Sequence, residues 1–224
     1  MDIFNNVKGA GLALALAALP AAQAQAAFVM TLDDLGDAAT PTIIYDGSGS
    51  DLGGPAGVIT YSGAVGSFMV NVTTGVSKPV IGPARMDLNS INVSGSSAGT
   101  LVVSLTDTDF SGDYSAYTAD FGGTTDGSVA LDFLFDSGNS EFGGSSFASG
   151  SSAGSGAFSD SLTGAVAGGE PFSLTITATI EHDEASQISS FDAVVAPVPV
   201  PAAFWLFGSA LAGFAAFRRR QQRA

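Results

Sequence analysis

Four stretches of this chain alternate apolar and polar residues with a period of two. Leu174, Ile176, Ala178 and Ile180 interleave with Ser173, Thr175, Thr177 and Thr179. Val129, Leu131, Phe133 and Phe135 repeat the pattern, as do Leu101, Val103 and Leu105, and Phe68, Val70 and Val72. Alternation of this kind paints one face of a β-strand apolar and leaves the other wet; it cannot paint one face of a helix. Shorter candidates lie at Phe28 to Leu32, Thr42 to Tyr45, Gly57 to Tyr61, Ala84 to Val93, Tyr114 to Phe121 and Ile188 to Val195. Turn residues punctuate them at Asp46-Gly47-Ser48-Gly49, Asp51-Leu52-Gly53-Gly54-Pro55 and Thr125-Asp126-Gly127. About ten short strands with Gly/Ser/Asp turns predict an all-β fold, a single β-sandwich or jelly-roll-like domain.

Two segments depart from the rhythm. In Ala84 to Val93 the apolar set switches from Met86 and Leu88 to Ile91 and Val93, which predicts a β-bulge near Asn89. Ser137 to Gly169 is dominated by Ser, Gly and Ala, with Phe142, Phe147 and Phe158 spaced through it. It is expected to be a surface loop pinned to the sandwich edge by its phenylalanines, with a weak strand at Ala157 to Leu162.

The two ends of the chain are different in kind. At the start, Lys8 precedes an apolar run from Ala10 to Leu19, and Ala22-Gln23-Ala24 and Ala24-Gln25-Ala26 are small-x-small cleavage sites. Residues 1–26 therefore read as a signal peptide. At the other end, Val198-Pro199-Val200-Pro201-Ala202 leads into an uncharged run to Phe217, then Arg218, Arg219, Arg220 and Arg223. The prolines hold the chain extended before a helix of ~24 Å, slightly short of a ~30 Å hydrocarbon core. The arginines extend their stems to the interface and favour a cytoplasmic C-terminus. The expected organisation is a signal peptide (1–26), an extracytoplasmic domain (27–197) and a tail (198–224) that crosses the membrane.

The motif, the helix and the arginine cluster, in that order, resemble the PEP-CTERM class of bacterial sorting signals and its VPLPA variant, with Val200 where the variant usually has Leu. The resemblance implies export in a Gram-negative bacterium and processing near Val198 to Ala202 by an exosortase, a membrane enzyme. It implies a precursor anchored in the cytoplasmic membrane and a product at the cell surface or in the extracellular matrix, associated with exopolysaccharide. Gly75-Val76-Ser77-Lys78-Pro79, Met86-Asp87-Leu88-Asn89-Ser90 and Gly99-Thr100-Leu101 running into Ser104-Leu105-Thr106-Asp107-Thr108-Asp109-Phe110 also resemble a body type that recurs among PEP-CTERM proteins. That resemblance spans residues 56 to 195 and carries no catalytic residues across.

Charge narrows the function classes further. Residues 27–197 contain two cations, Lys78 and Arg85, against twenty carboxylates. Such a domain has nothing to pair with phosphates, so nucleic acid is excluded as a partner. The chain has no cysteine, which removes thiolate metal sites, cysteine nucleophiles and disulfides; packing or ions must supply stability.

Four constellations could carry chemistry. Asp107-Thr108-Asp109-Phe110-Ser111-Gly112-Asp113 matches the first half of a calcium loop, with oxygen side chains at alternate positions and a glycine sixth. Asp107, Asp109 and Asp113 are the candidate calcium ligands. Thr118 stands where an EF-hand needs a bidentate Glu, and the plain alternative is a polar turn after the Leu101 to Leu105 strand. Glu181-His182-Asp183-Glu184 surrounds the single imidazole with carboxylates, a metal site or a solvated charged turn. Serines abound in the chain and could complete a Ser-His-Asp triad with His182, but Gly95-Ser96-Ser97-Ala98-Gly99 and Gly150-Ser151-Ser152-Ala153-Gly154 both sit in loop composition, without the strand-to-helix context of a nucleophile elbow. Asn71-Val72-Thr73 and Asn92-Val93-Ser94 fit the glycosylation sequon. No catalytic residues emerge. The expected protein is a non-enzymatic, exported surface or matrix protein, whose partners are signal peptidase, the export machinery, an exosortase, the membrane and exopolysaccharide. The alternative is a carbohydrate-binding or glycan-acting jelly roll, which would show Tyr45, Tyr61, Tyr114 or Tyr117 on a concave face.

Overall fold

A computed structural model describes residues 27–37, 41–198 and 207. They form twelve β-strands: β1 (Val29–Asp34), β2 (Thr42–Tyr45), β3 (Val58–Val65), β4 (Phe68–Val76), β5 (Met86–Gly95), β6 (Gly99–Phe110), β7 (Ala116–Thr125), β8 (Ser128–Asp136), β9 (Ser145–Ser151), β10 (Gly156–Ala165), β11 (Phe172–His182) and β12 (Ile188–Pro197). They make two six-stranded antiparallel sheets, ordered β2-β1-β6-β11-β8-β9 and β10-β7-β12-β5-β4-β3. The two sheets face one another as a sandwich, with the inward half of each alternation between them.

The first sheet contributes Met30, Leu32, Leu105, Phe133, Ile176 and Ile180 to the core, and the second Ile59, Phe68, Met86, Leu88, Ile91 and Val195; each is 2% exposed or less. Burying a side chain of this size contributes roughly 1.5–3 kcal/mol, so these rows are what holds a cysteine-free domain together. The outward half stays hydrophilic. Thr31, Ser104, Thr177, Asp132 and Ser149 are register partners in one row across β1, β6, β11, β8 and β9.

The bulge falls where the parity switch predicts it. Leu88 opposes Ala193 and Ile91 opposes Phe191, so Asn89 and Ser90 share the space of one residue. Ser90 takes a positive φ of 56° there, and its amide donates to Asp192 Oδ1 at 2.6 Å.

The Ser/Gly/Ala stretch holds the expected strand at Ala157 to Leu162, within β10, but it is more ordered than a pinned loop. It supplies two edge strands, β9 and β10, one to each sheet. Phe147 packs on Tyr117 at 5.9 Å and Phe158 on Phe191 at 6.1 Å, so both rings enter the core from the sandwich edge. Small residues suit that edge because the two strands approach closely. A Cβ on Gly164 would run into the carbonyl oxygen of Phe147. β6 also runs past Leu105 to Phe110, so Asp107 and Asp109 lie in a strand rather than in a turn.

Candidate functional site

β12 lies between β7 and β5, and its last pairs are Ala196 with Thr118 and Pro197 with Tyr117. The Val198 amide then donates to Ala116 O at 3.0 Å. The first residue of the expected processing motif is therefore still held by the sheet, and no linker separates the two. Ala27 is held at the same end, its amide donating to Thr108 Oγ1 at 2.9 Å. Both terminal segments thus leave the sandwich from one end. Pro199, Val200, Pro201 and Ala202, the arginines Arg218, Arg219, Arg220 and Arg223, and the signal peptide 1–26 lie outside the described residues. Among the described residues no helix is long and apolar enough to cross a membrane.

The same end contains the connection from β4 to β5, which carries Lys78 and Arg85. Lys78 turns inward. Its Nζ lies 2.8 Å from Asp107 Oδ2, donates to the carbonyl of Thr108, and stands 4.1 Å from the centroid of Phe110. Ser77 Oγ donates to the same Asp107 oxygen at 2.5 Å, while Asp107 Oδ1 is buried without a hydrogen-bond partner. Burial pushes the Asp107 carboxyl above its ordinary value; the Lys78 charge and the hydrogen bonds oppose that rise.

Asp107, Asp109 and Asp113, the candidate calcium ligands, do not share a site. Asp107 is sequestered under Lys78. Asp109 follows at φ 58°, in a bulge against β11, where Phe110 opposes Phe172 but Leu174 opposes Asp107. Its Oδ1 accepts from Asn139 Nδ2 at 2.6 Å, and its amide donates back to Asn139 Oδ1 at 2.7 Å. Asp113 is exposed in the following loop. Residues two apart share a face of a regular strand, but the bulge breaks that alternation between Asp107 and Asp109, and an extended strand does not curl its carboxylates around an ion as a calcium loop does. Among the described residues no group of three or more His, Asp or Glu side chains is placed to hold a metal ion.

His182 ends β11 and points inward, 1% exposed, with Phe68 beside it at 5.6 Å. Its Nε2 shares a hydrogen bond with Ser189 Oγ at 2.9 Å, and Ser189 Oγ another with Thr125 Oγ1 at 2.7 Å. Burial lowers the imidazole pKa, against the opposing charges of Asp126 and Asp183. The flanking carboxylates are solvent-exposed and the imidazole is not. A serine and a histidine do meet, but Ser189 is fully buried and His182 Nδ1 has no hydrogen-bond partner. This pair lacks both an orienting carboxylate and access to substrate, the two things a nucleophilic triad needs.

The tyrosines are mostly structural. Tyr117 is fully buried, and burial pushes its phenol well above its ordinary value, with Tyr114 adding to the shift. Tyr114 packs on Tyr117 at 5.7 Å, and Tyr61 donates to Ala64 O at 3.1 Å. Tyr45 alone of the four is exposed, on edge strand β2 beside Ile43. The outer face of the second sheet instead carries an open polar groove of about 580 Å³ lined by Arg85, Asp87, Asn89, Ser90, Asp120 and Asp192, among others. Burial pushes the Asp87 carboxyl up; Arg85 opposes this and Asp192 adds to it. The groove continues past Ser90 to the two sequon asparagines, where Asn71 Nδ2 donates to Asn92 Oδ1 at 2.7 Å. Apart from the two sequons, no sequence motif marks this face, because its residues come from five strands.

Residues 197–220 match the PEP-CTERM protein-sorting motif. That motif marks an exported, membrane-anchored precursor that an exosortase handles. No curated protein matches the chain in sequence. Among solved structures, the chain is similar to TmCBM61 in complex with β-1,4-galactotriose, at 14% identity, over 61% of this chain and 92% of that one, with a TM-score of 0.36. It is similar to the adhesin domain of Epf from Streptococcus pyogenes, at 10% identity, over 78% and 60% of the two chains, with a TM-score of 0.36. It is also similar to a carbohydrate-binding module in complex with calcium and xylotriose, at 13% identity, over 61% and 96%, with a TM-score of 0.29.

Proposed function

We propose that this chain is a non-enzymatic surface or matrix protein, delivered by its C-terminal tail and released or transferred by an exosortase that cuts within Val198 to Ala202. The carrying observation is the sorting motif at 197–220, joined without a linker to the folded sandwich. The organisation expected from the sequence fits this reading: a signal peptide starts export, and the apolar run 202–217 arrests it. Mass spectrometry of the mature protein from its native host should find no species that retains Arg218 to Arg223. Replacing Pro199 and Pro201 with Ala should leave full-length protein in the membrane, because the motif loses its extended conformation. A mature surface protein with an intact tail would refute the reading.

A second reading is glycan binding by the body. It is favoured by the groove on the second sheet, whose amides, carboxylates and hydroxyls suit sugar hydroxyls. Only Tyr45 among the tyrosines is exposed to stack on a sugar ring, so affinity would rest on hydrogen bonds. Binding to the host's exopolysaccharide that is unchanged in Asp192→Ala and Asn92→Ala variants would exclude this groove as the site.

A further inference from the structure

We propose that, in the membrane-held precursor, the end of the sandwich that carries the β4–β5 connection rests on the phospholipid headgroups, with Val80 at the point of contact. The inference rests on the reading of residues 202–217 as a membrane helix.

Chain length carries it. Val198 is still hydrogen-bonded to Ala116. From Val198 to Ala202 there are four Cα–Cα steps, at most ~14 Å when fully extended. The headgroup layer itself takes ~5–8 Å of that reach. The helix is also shorter than the hydrocarbon core by ~6 Å, which draws its ends, and the body, toward the bilayer. The end of the sandwich is then held within about one Debye length, ~10 Å at 0.1 M salt, of the lipid phosphates. A domain with twenty carboxylates would be repelled at that range unless the apposed end were atypical.

It is atypical in one place. The β4–β5 connection holds both cations of residues 27–197, Lys78 turned inward onto Asp107 and Arg85 exposed, whereas the neighbouring connections of the same end expose Asp113 and Glu170. Arg85 directly precedes Met86, the register partner of Val195 near the end of β12. Val80 is 48% exposed, with Pro79 exposed beside it. An apolar tip flanked by a cation suits the boundary of an anionic bilayer.

The absence of cysteine allows single-site labelling of the full chain. Val80→Cys and, as a control at the opposite end, Ser97→Cys would each carry a polarity-sensitive fluorophore. The labelled chains would be reconstituted in vesicles of phosphatidylethanolamine and phosphatidylglycerol containing a headgroup-nitroxide lipid. The Val80 probe should shift to the blue and lose most of its emission to the quencher, whereas the Ser97 probe should do neither. Inserting 20 Gly/Ser residues between Pro197 and Val198, which relaxes the tether to roughly 25 Å, should abolish the difference. Chains that float with the vesicles but show equal quenching at both sites would overturn the proposal and leave the tail reading intact. Chains that do not float would overturn both.

Discussion

Replacing Lys78 with Met tests whether the Lys78–Asp107 pair is a structural lock. Asp107 is 1% exposed, so it cannot reach water when its partner is removed; the Lys78 side chain is 20% exposed and can swing outward on its flexible stem. The pair is therefore asymmetric. In Lys78→Met the carboxylate keeps only the Ser77 hydroxyl at 2.5 Å. Breaking a buried ion pair in this way costs about 3–5 kcal/mol, and part of that is the lost contact between the ammonium and the Phe110 ring, about 0.5–2 kcal/mol. A domain of this size loses about 2–4 °C per kcal/mol, so the melting temperature at pH 7 should fall by roughly 6–20 °C.

The pH dependence separates the two contributions. Burial holds the folded-state pKa of Asp107 above its unfolded value, so the stability this group confers is complete below the unfolded pKa and declines as pH rises through the folded one. Removing Lys78 takes away the main opposing influence and extends that decline to higher pH. The cost of Lys78→Met should therefore be small near pH 4, where a neutral carboxyl is tolerated, and large at pH 7. Asp107→Asn should cost less than Lys78→Met at pH 7. The double variant Lys78→Met, Asp107→Leu should recover most of the loss, because an apolar pair fills the same space without a buried charge. Thermal unfolding followed by circular dichroism at the two pH values measures all of this. A Lys78→Met cost that is the same at pH 4 and pH 7 would show that the buried charge is not what the lysine holds in place.

Three further outcomes are expected. Burial lowers the His182 pKa, so wild-type stability should decline as pH falls from about 6.5 toward the folded value, by no more than ~1.4 kcal/mol per unit; His182→Gln should lack that slope in denaturant titrations across the interval. At lower pH both proteins should lose stability alike, since Asp136 is held low by the amides of Ser140 and Gly138. Ser90→Gly should raise stability by about 0.5–1 kcal/mol, because glycine takes the positive φ at the bulge without steric cost, and a lower melting temperature would refute that account. Gly164→Ala should cost more than 1 kcal/mol, since its Cβ would meet the Phe147 carbonyl and part β9 from β10, whereas Ala165→Ser on the exposed side should change the melt little.

The strands legible in the sequence are those whose inward residues are large and whose outward residues are polar. β8 and β11 show this at most positions, and each has a strand on both sides. The edge strand β9 is hidden, and β10 shows only as the weak strand at Ala157 to Leu162, because of the requirement that makes them work. Their close approach selects Gly164, and small residues at an edge erase the alternation on which strand detection depends. The end of β6 was hidden differently. Thr106, Asp107 and Thr108 read as a polar turn, yet all three are buried, two of them as outward residues and Asp107 as an inward one. Thr106 is covered where the Phe142 amide donates to its hydroxyl, at 3.2 Å, from the β8–β9 connection. Asp107 is buried because Lys78, 29 positions earlier in sequence, supplies its counter-charge. The bulge at Ser90, in contrast, left a local trace, because one extra residue must shift the apolar parity of its own strand.

The candidate site divides along the same line. The sorting motif is defined by the order of residues along the chain, so its match at residues 197–220 can be recognised without a fold. The body's surfaces have no such linear form. The groove takes Arg85, Asp87 and Asn89 from β5 and its approach, Asp120 from β7 and Asp192 from β12. Residues that are 31 to 107 positions apart in sequence meet there only after the sandwich has closed. The length of the tether is informative only when both kinds of reading are combined. The sequence supplies four steps between Val198 and Ala202, and the fold supplies the hydrogen bond from Val198 to Ala116 that makes those steps the whole reach. A body that ended several residues earlier, on a flexible linker, would carry the same sorting motif and leave its orientation at the membrane unconstrained.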